Sequence, residues 1–196
     1  NMRGNTLGAL KRIDEAVASF DRALAIEPDY PEALNNRGNA LLELKRSEAA
    51  LASYDKALAV KPDLGDAHYG RGNALYDLKR YEEAAACFEK ALAIWPEFQY
   101  ATGMLADTRM HCCDWRARNE EVKRLTGDIR AGKSSIYPFA YLGVSDSPRD
   151  QLLCSRIWVR DRCSASPAPL WNGERYRHDR IRLAYLSADF HEHATA

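Results

Sequence analysis

Three asparagines recur at equal spacing in the first half of the chain, where one constant interval in residue number separates Asn5, Asn39 and Asn73. A side-chain amide carries both hydrogen-bond donors and an acceptor, so it can bind the N–H and C=O groups of an extended peptide. Asparagine costs roughly 0.6 kcal/mol relative to alanine inside a helix, so its repetition in predicted helices calls for an explanation. Either a row of amides clamps a peptide backbone irrespective of its sequence, or the asparagine was copied with the segment that contains it.

Two histidine-containing segments are further candidates for chemistry. His111, Cys112 and Cys113 are adjacent, and adjacent residues on a helix cannot converge on one ion, so a zinc site is disfavoured. The tripeptide His191–His193 reads His-Glu-His, and neighbouring ligands alone do not build a metal site either. No metal site is therefore predicted.

Arginines recur at the same spacing, as Arg3, Arg37 and Arg71. A long arginine stem can pack along apolar surface while its guanidinium group stays in water. We therefore expect these arginines to pack their stems along a helix pair, with their charged heads in solvent. A ladder that binds carboxylates is the alternative.

The asparagines belong to a repeat that fills the first half of the chain. Pro28, Pro62 and Pro96 are separated by the same interval as the asparagines. The same offset relates four further sets of residues: Gly4, Gly38 and Gly72; Leu7, Leu41 and Leu75; Ala16, Ala50 and Ala84; Phe20, Tyr54 and Phe88. A gapless period of roughly 34 residues indicates stacked copies of one small unit.

Each unit is predicted to be a hairpin of two helices. In the second unit, Leu34, Gly38 and Leu41 lie on one face of a first helix. Gly38 opposite Ala50 would let two helix backbones approach closely, with Tyr54 filling the space beside them. One hairpin cannot cover its own apolar face, so it is buried only by stacking on the next. The predicted fold class is therefore all-α, a solenoid of helix pairs.

This pattern of small residues, an aromatic residue and a proline resembles the tetratricopeptide repeat. The resemblance implies a right-handed superhelix whose concave inner wall binds other proteins or peptides. It also implies which positions of each first helix line that wall. The candidate groove residues are Asn5, Glu32, Asn35, Asn36, Asn39, Leu42, Glu43, Asp66, Tyr69, Gly70, Asn73, Tyr76 and Asp77.

The overall composition excludes several other classes of partner. The 28 Lys and Arg residues balance 28 Asp and Glu residues, so the charge predicts neither a nucleic acid nor an anionic membrane as partner. No apolar run is long enough to span a bilayer, and no signal-peptide pattern opens the chain. The five cysteines lack any CxxC spacing, which favours a reducing compartment. We expect a cytoplasmic protein.

Two later segments carry a narrower resemblance. His111-Cys112-Cys113-Asp114-Trp115 replaces the usual hairpin turn of the fourth unit. The first segment is Pro96-Glu97-Phe98 followed in repeat register by Cys113-Asp114-Trp115. The second is an apolar run from Ile181 that leads into Ser187-Ala188-Asp189-Phe190, with His193 three residues further on. Both segments are similar to the protein O-linked N-acetylglucosamine transferases and their SPINDLY-like relatives. In that family a Cys-Asp-Trp ends the solenoid, and such a strand opens the catalytic region.

The narrower resemblance implies a domain order. Residues 1–98 would be three tetratricopeptide repeats, the first truncated, and 99–131 an atypical capping helix pair. Residues 132–180 would be a helical and extended linker, and 181–196 the first strand of a truncated Rossmann-like α/β lobe. His193 matches a histidine close to the sugar nucleotide, so it is the candidate catalytic residue by resemblance only.

A parent enzyme of this family would use UDP-GlcNAc, or GDP-fucose, as its donor. Because the chain ends after one strand of the first lobe, we expect it to hold no cofactor and to be catalytically inactive by itself. Two functions remain open: the substrate-recruiting arm of a nucleotide-sugar-dependent protein O-glycosyltransferase, and a non-enzymatic protein–protein adaptor. The unpaired edges of an apolar strand at 181–186 also predict homodimers at high concentration.

Overall fold

The computed structural model describes residues 1–162, in which all regular structure is helical. The predicted all-α solenoid is confirmed over this range, which contains no strand. The predicted strand at 181–196 and the candidate catalytic residue His193 lie outside the described residues. The helices are α1 (Met2–Ala9), α2 (Ile13–Ile26), α3 (Pro31–Glu43), α4 (Ser47–Val60), α5 (Gly65–Asp77), α6 (Tyr81–Ile94), α7 (Ala101–His111), α8 (Arg118–Arg130), α9 (Pro138–Leu142) and α10 (Pro148–Arg162).

The helices stack in chain order. Each helix from α1 to α6 packs on the one that follows it, so the hairpins form a row. The first helices α3 and α5 also pack on each other, whereas the second helices α2, α4 and α6 make no comparable contact among themselves. The first helices therefore lie on the inner side of the curve, where the candidate groove residues were predicted.

The hairpin turns share one backbone conformation. Lys11, Lys45 and Lys79 have φ angles of 60, 58 and 60°, in the left-handed region that side chains other than glycine seldom adopt. Cys113 occupies the same position of the fourth unit with φ 53°. The N–H that follows each of these residues donates to the carbonyl five residues earlier, at 2.9–3.0 Å. The fourth unit thus keeps the turn of the other units although its sequence differs.

Tyr54 fills the space between the second and third hairpins. Its side chain is completely buried, and its hydroxyl donates to Asn39 Oδ1 at 2.7 Å. A Cβ atom added to Gly38 or Gly70 would lie 2.6 or 2.5 Å from the Tyr54 ring. Gly38 was expected to let two helix backbones approach closely. In the structure, its lack of a side chain leaves room for the Tyr54 ring.

Two of the three repeated arginines, Arg37 and Arg71, differ from the prediction that their heads lie in water, whereas Arg3 is exposed. Arg37 Nε is 2.6 Å from Asp21 Oδ1, and Arg71 Nε is 2.7 Å from Asp55 Oδ1. The arginine side chains are only 29% and 26% exposed. Asp21 and Asp55 lie on the preceding second helices, α2 and α4, and recur with the same period as the arginines. The same ion pair between neighbouring repeats therefore forms twice.

After α7 the packing changes. α7 packs on α6 much as earlier first helices do, but its contact with α8 is slight. α8 packs instead on α10, which also contacts α9, around a core that includes Leu125, Tyr141, Cys154 and Ile157. The two helices predicted as a capping pair thus have their main contacts with other helices. Among the described helices, none has the length and apolar character needed to cross a membrane.

Candidate peptide-binding groove

Four of the candidate groove residues surround one cavity between α1 and α3. Asn5, Asn36, Asn39 and Glu43 line a volume of about 220 Å³, which we call the amide pocket. Gly8 also lines it, and the absence of a side chain there leaves the pocket open. Asparagine side chains from two neighbouring hairpins are therefore brought together as the repeat predicts.

The hydrogen bonds of the amide pocket determine what it can offer a ligand. Asn36 Nδ2 donates to Asn5 Oδ1 and to Asn1 Oδ1, each at 3.1 Å. Asn39 Oδ1 already accepts from the Tyr54 hydroxyl, which leaves the Asn39 NH₂ group as a donor. Because Asn39 is exposed, that group can donate to a peptide carbonyl.

Asn35 contributes little to the open surface. It is only 7% exposed, and its Oδ1 has no hydrogen-bond partner among the described residues.

Two acidic candidates of the groove are open to solvent. Asp66 is exposed in the first turn of α5, where a carboxylate is favoured by the helix dipole. Glu43 is half-exposed and lies 3.7 Å from Lys11 Nζ.

Tyr69 is half-buried and is held by aromatic neighbours. Its ring stacks on Phe98, with 4.7 Å between centroids, and lies 5.6 Å from Phe88. Burial raises the pKa of Tyr69, and the neighbouring Tyr137 hydroxyl raises it further, whereas the Asn73 amide lowers it. The equivalent residues Asn73 and Asn39 thus have different partners. Asn73 lies beside the Tyr69 hydroxyl, whereas Asn39 accepts from the hydroxyl of the buried Tyr54.

A second group of side chains lies where α5 and α7 meet, and we call it the tyrosine–aspartate cluster: Tyr76, Asp77, Tyr81, Asp107 and His111. The Tyr76 hydroxyl donates to Asp107 Oδ2 at 2.5 Å and lies 3.0 Å from His111 Nε2. Burial and the hydrogen bond to Asp107 both raise the pKa of Tyr76, so it remains a neutral donor. The His111 ring stacks on Tyr81 at 4.5 Å.

Three members of this cluster, Tyr81, Asp107 and His111, were not among the predicted groove residues. Asp107 occupies the position of Asn73 in the following unit, and His111 occupies that of Asp77. The sequence of the fourth unit predicts a cap, in which His111 is only a disfavoured zinc ligand. Extending the register of the repeat into α7 would have identified Asp107 and His111.

The inner side of α7 is covered by the chain itself. Residues 134–137, which we call the covering segment, bind the start of α7: Ser134 O accepts from Tyr100 N at 2.7 Å, and Ser135 O accepts from Gly103 N at 2.8 Å. The Tyr137 ring stacks on Tyr100 at 4.5 Å. The surface open to a ligand therefore runs along α1, α3 and α5 and reaches α7 only at the tyrosine–aspartate cluster.

The Cys113-Asp114-Trp115 segment forms the turn after α7. Asp114 accepts from the backbone and the guanidinium group of Arg116, and these hydrogen bonds hold the pKa of Asp114 well below its usual range. Trp115 is 55% exposed, and Arg118 lies over its ring at 5.9 Å. Within residues 1–162, no group of three or more His, Cys, Asp or Glu side chains could hold a metal ion.

Several solved structures resemble this chain. The TPR domain of Arabidopsis OM64 is 30% identical, with a TM-score of 0.54, over 55% of this chain and 89% of that one. The first TPR of Spaghetti (RPAP3), bound to the HSP90 peptide SRMEEVD, is 26% identical with a TM-score of 0.56, over 57% and 89%. MamA of Desulfovibrio magneticus RS-1 shares the fold, with a TM-score of 0.60 at 24% identity, over 65% and 72%.

The family comparison covers the repeated half of the chain. Residues 1–64 and residues 65–98 each match the tetratricopeptide repeat family. Among curated proteins, no significant match was found. The repeated hairpins, the family matches and the similarity to the OM64 domain lead to one conclusion: this chain belongs to the tetratricopeptide repeat family.

Proposed function

We propose that this chain is a protein-binding scaffold that holds an extended peptide segment against the inner side of α1, α3 and α5. The observation that carries the proposal is the open amide pocket, in which the Asn39 NH₂ group is left as a donor on an exposed residue. An amide pocket recognises the peptide backbone, so the contribution of these amides to binding would be the same for different peptide sequences. The similar RPAP3 repeat domain, solved with a bound HSP90 peptide, supports peptide binding as a function of such repeats.

Substitution of the groove asparagines tests this proposal. On an array of extended peptides, Asn39→Ala combined with Asn73→Ala should weaken binding by about 3- to 10-fold, as expected for the loss of one or two hydrogen bonds. The loss should be similar for every peptide that binds, because the lost contacts are to the backbone. The matched control is Asn119→Ala, at an exposed position of α8 away from the groove.

A stability measurement must accompany the array. Asn39→Ala also removes the acceptor of the buried Tyr54 hydroxyl, so a thermal melt has to show that the variant is folded at the assay temperature. Binding that is unchanged in the folded double variant would remove the asparagines from the proposed site.

We further propose that the scaffold serves as the substrate-recruiting arm of a nucleotide-sugar-dependent protein O-glycosyltransferase. Support for this narrower function comes from the Cys113-Asp114-Trp115 turn and the Ser187-to-His193 segment in the sequence. UDP-GlcNAc or GDP-fucose would be the donor of the parent enzyme. A non-enzymatic adaptor is the alternative, and the two differ in whether the encoding reading frame continues into two further α/β lobes.

Calorimetric titration of the isolated chain tests the narrower function from another side. We propose that the donor site is not formed by these residues, so neither UDP-GlcNAc nor GDP-fucose should bind measurably, even at millimolar concentration. Saturable binding of either nucleotide sugar would show that the chain contains a complete donor site. It would contradict the proposal that this chain only recruits the protein substrate.

A further inference from the structure

The charges on the inner side of the solenoid all have one sign. At the positions of α3, α5 and α7 that face the groove, Glu32, Glu43, Asp66, Asp77 and Asp107 are carboxylates, and none is lysine or arginine. The His111 imidazole also lies at this surface, beside the Tyr76 hydroxyl. The inner wall is therefore acidic although the whole chain has balanced charge.

The carboxylates are not equally available. Glu32 and Glu43 lie 3.6 and 3.7 Å from Lys61 and Lys11, so their charge is partly compensated. Asp66 and Asp77 have no lysine or arginine within 4.0 Å among residues 1–162. The uncompensated negative charge is thus concentrated on α5 and α7.

The tyrosine–aspartate cluster is suited to hold a cationic side chain. Asp107 is 21% exposed at its side chain and accepts a hydrogen bond from the Tyr76 hydroxyl, which fixes its orientation. Asp77 is exposed on the last turn of α5 and accepts a hydrogen bond from Ser47 Oγ at 3.3 Å. Carboxylates on one wall attract a guanidinium or ammonium group by charge.

We infer that the groove takes a basic peptide segment, with one lysine or arginine of the ligand docked on Asp77 and Asp107 in the tyrosine–aspartate cluster. This inference rests on the proposed scaffold function and specifies its partner. The expected ligand differs from that of the similar RPAP3 domain, whose peptide SRMEEVD contains three acidic residues. An acidic peptide of that kind would be repelled by an inner wall without lysine or arginine.

Two peptides of equal length test the inference by fluorescence anisotropy with the full chain. One is SRMEEVD, and the other is the same heptapeptide with its acids replaced by lysine and its carboxyl terminus amidated. The lysine peptide should bind at least about tenfold more tightly at low ionic strength, and its advantage should shrink as salt screens the charges.

Charge-neutralising variants locate the contact. Asp77→Asn combined with Asp107→Asn should weaken binding of the lysine peptide about 5- to 20-fold, because an asparagine at position 107 would keep an acceptor for Tyr76 but lose the charge. Asp146→Asn, at an exposed site between α9 and α10, is the matched control and should leave binding unchanged.

The possible outcomes separate the inference from the proposed function. If SRMEEVD binds as tightly as the lysine peptide, or more tightly, the inference is overturned while the scaffold function stands. If the lysine peptide binds but the double variant binds it equally well, the docking site is wrong. If neither peptide binds at any salt concentration, the inference and the proposed function are both contradicted.

Discussion

Tyr54→Ala is expected to lower the free energy of unfolding by about 3–5 kcal/mol, the range for removing a large aromatic side chain from a packed core. Tyr54 is completely buried, and its ring fits against glycines of two successive first helices, Gly38 and Gly70. The alanine variant would leave a cavity at the junction between the second and third hairpins. Urea unfolding followed by far-ultraviolet circular dichroism measures the effect.

Tyr54→Phe is the matched control for this prediction. It keeps the ring and removes only the hydrogen bond to Asn39, so it should cost about 1 kcal/mol. Phenylalanine already occupies the equivalent positions 20 and 88, so the ring alone is compatible with the repeat. A cost of Tyr54→Ala no larger than that of Tyr54→Phe would show that the ring does not join the hairpins.

Gly103→Ala is expected to lower the free energy of unfolding by about 1–3 kcal/mol, as overpacking of a filled site does. A Cβ atom at Gly103 would lie 2.6 Å from Ile136 Cα and from Ser135 O. These are backbone atoms, which cannot move aside as a flexible side chain could. The covering segment should therefore separate from the start of α7, with faster hydrogen exchange at the N–H of residue 103.

Gly127→Ala provides a glycine control with the opposite expected sign. Gly127 lies inside α8, and an added Cβ would meet nothing within 4 Å. Alanine there should stabilise the protein by about 0.5–1 kcal/mol through helix propensity alone. Equal effects at positions 103 and 127 would contradict the close approach of the covering segment to α7.

The sequence predicts the local architecture well because the repeat determines it. One constant period specifies the length of each helix pair, and the alternation of large and small side chains specifies which faces pack. Tyr54 was assigned to the interface beside Gly38 on this basis, and the structure places it there. What the repeat could not reveal is that Gly70, in the next unit, is needed for the same ring.

The candidate site was predicted only where the repeat is regular. Asn5, Asn36, Asn39 and Glu43 come together because equivalent positions of adjacent units are neighbours in a solenoid. The covering segment follows from no local pattern, since its contacts join residues that are distant in sequence, in an irregular part of the chain. The left-handed conformation of Cys113 could likewise not be predicted from the sequence, because cysteine does not favour that conformation.

Nuclear magnetic resonance of the ¹⁵N-labelled chain, titrated with the lysine heptapeptide, measures directly where a ligand binds. The largest chemical-shift changes are expected on α3 and α5, at the side-chain amides of Asn39 and Asn73, and at Asp77 and Asp107. Changes confined to the second helices α2, α4 and α6, with the asparagine amides unmoved, would contradict binding along the inner side of the solenoid.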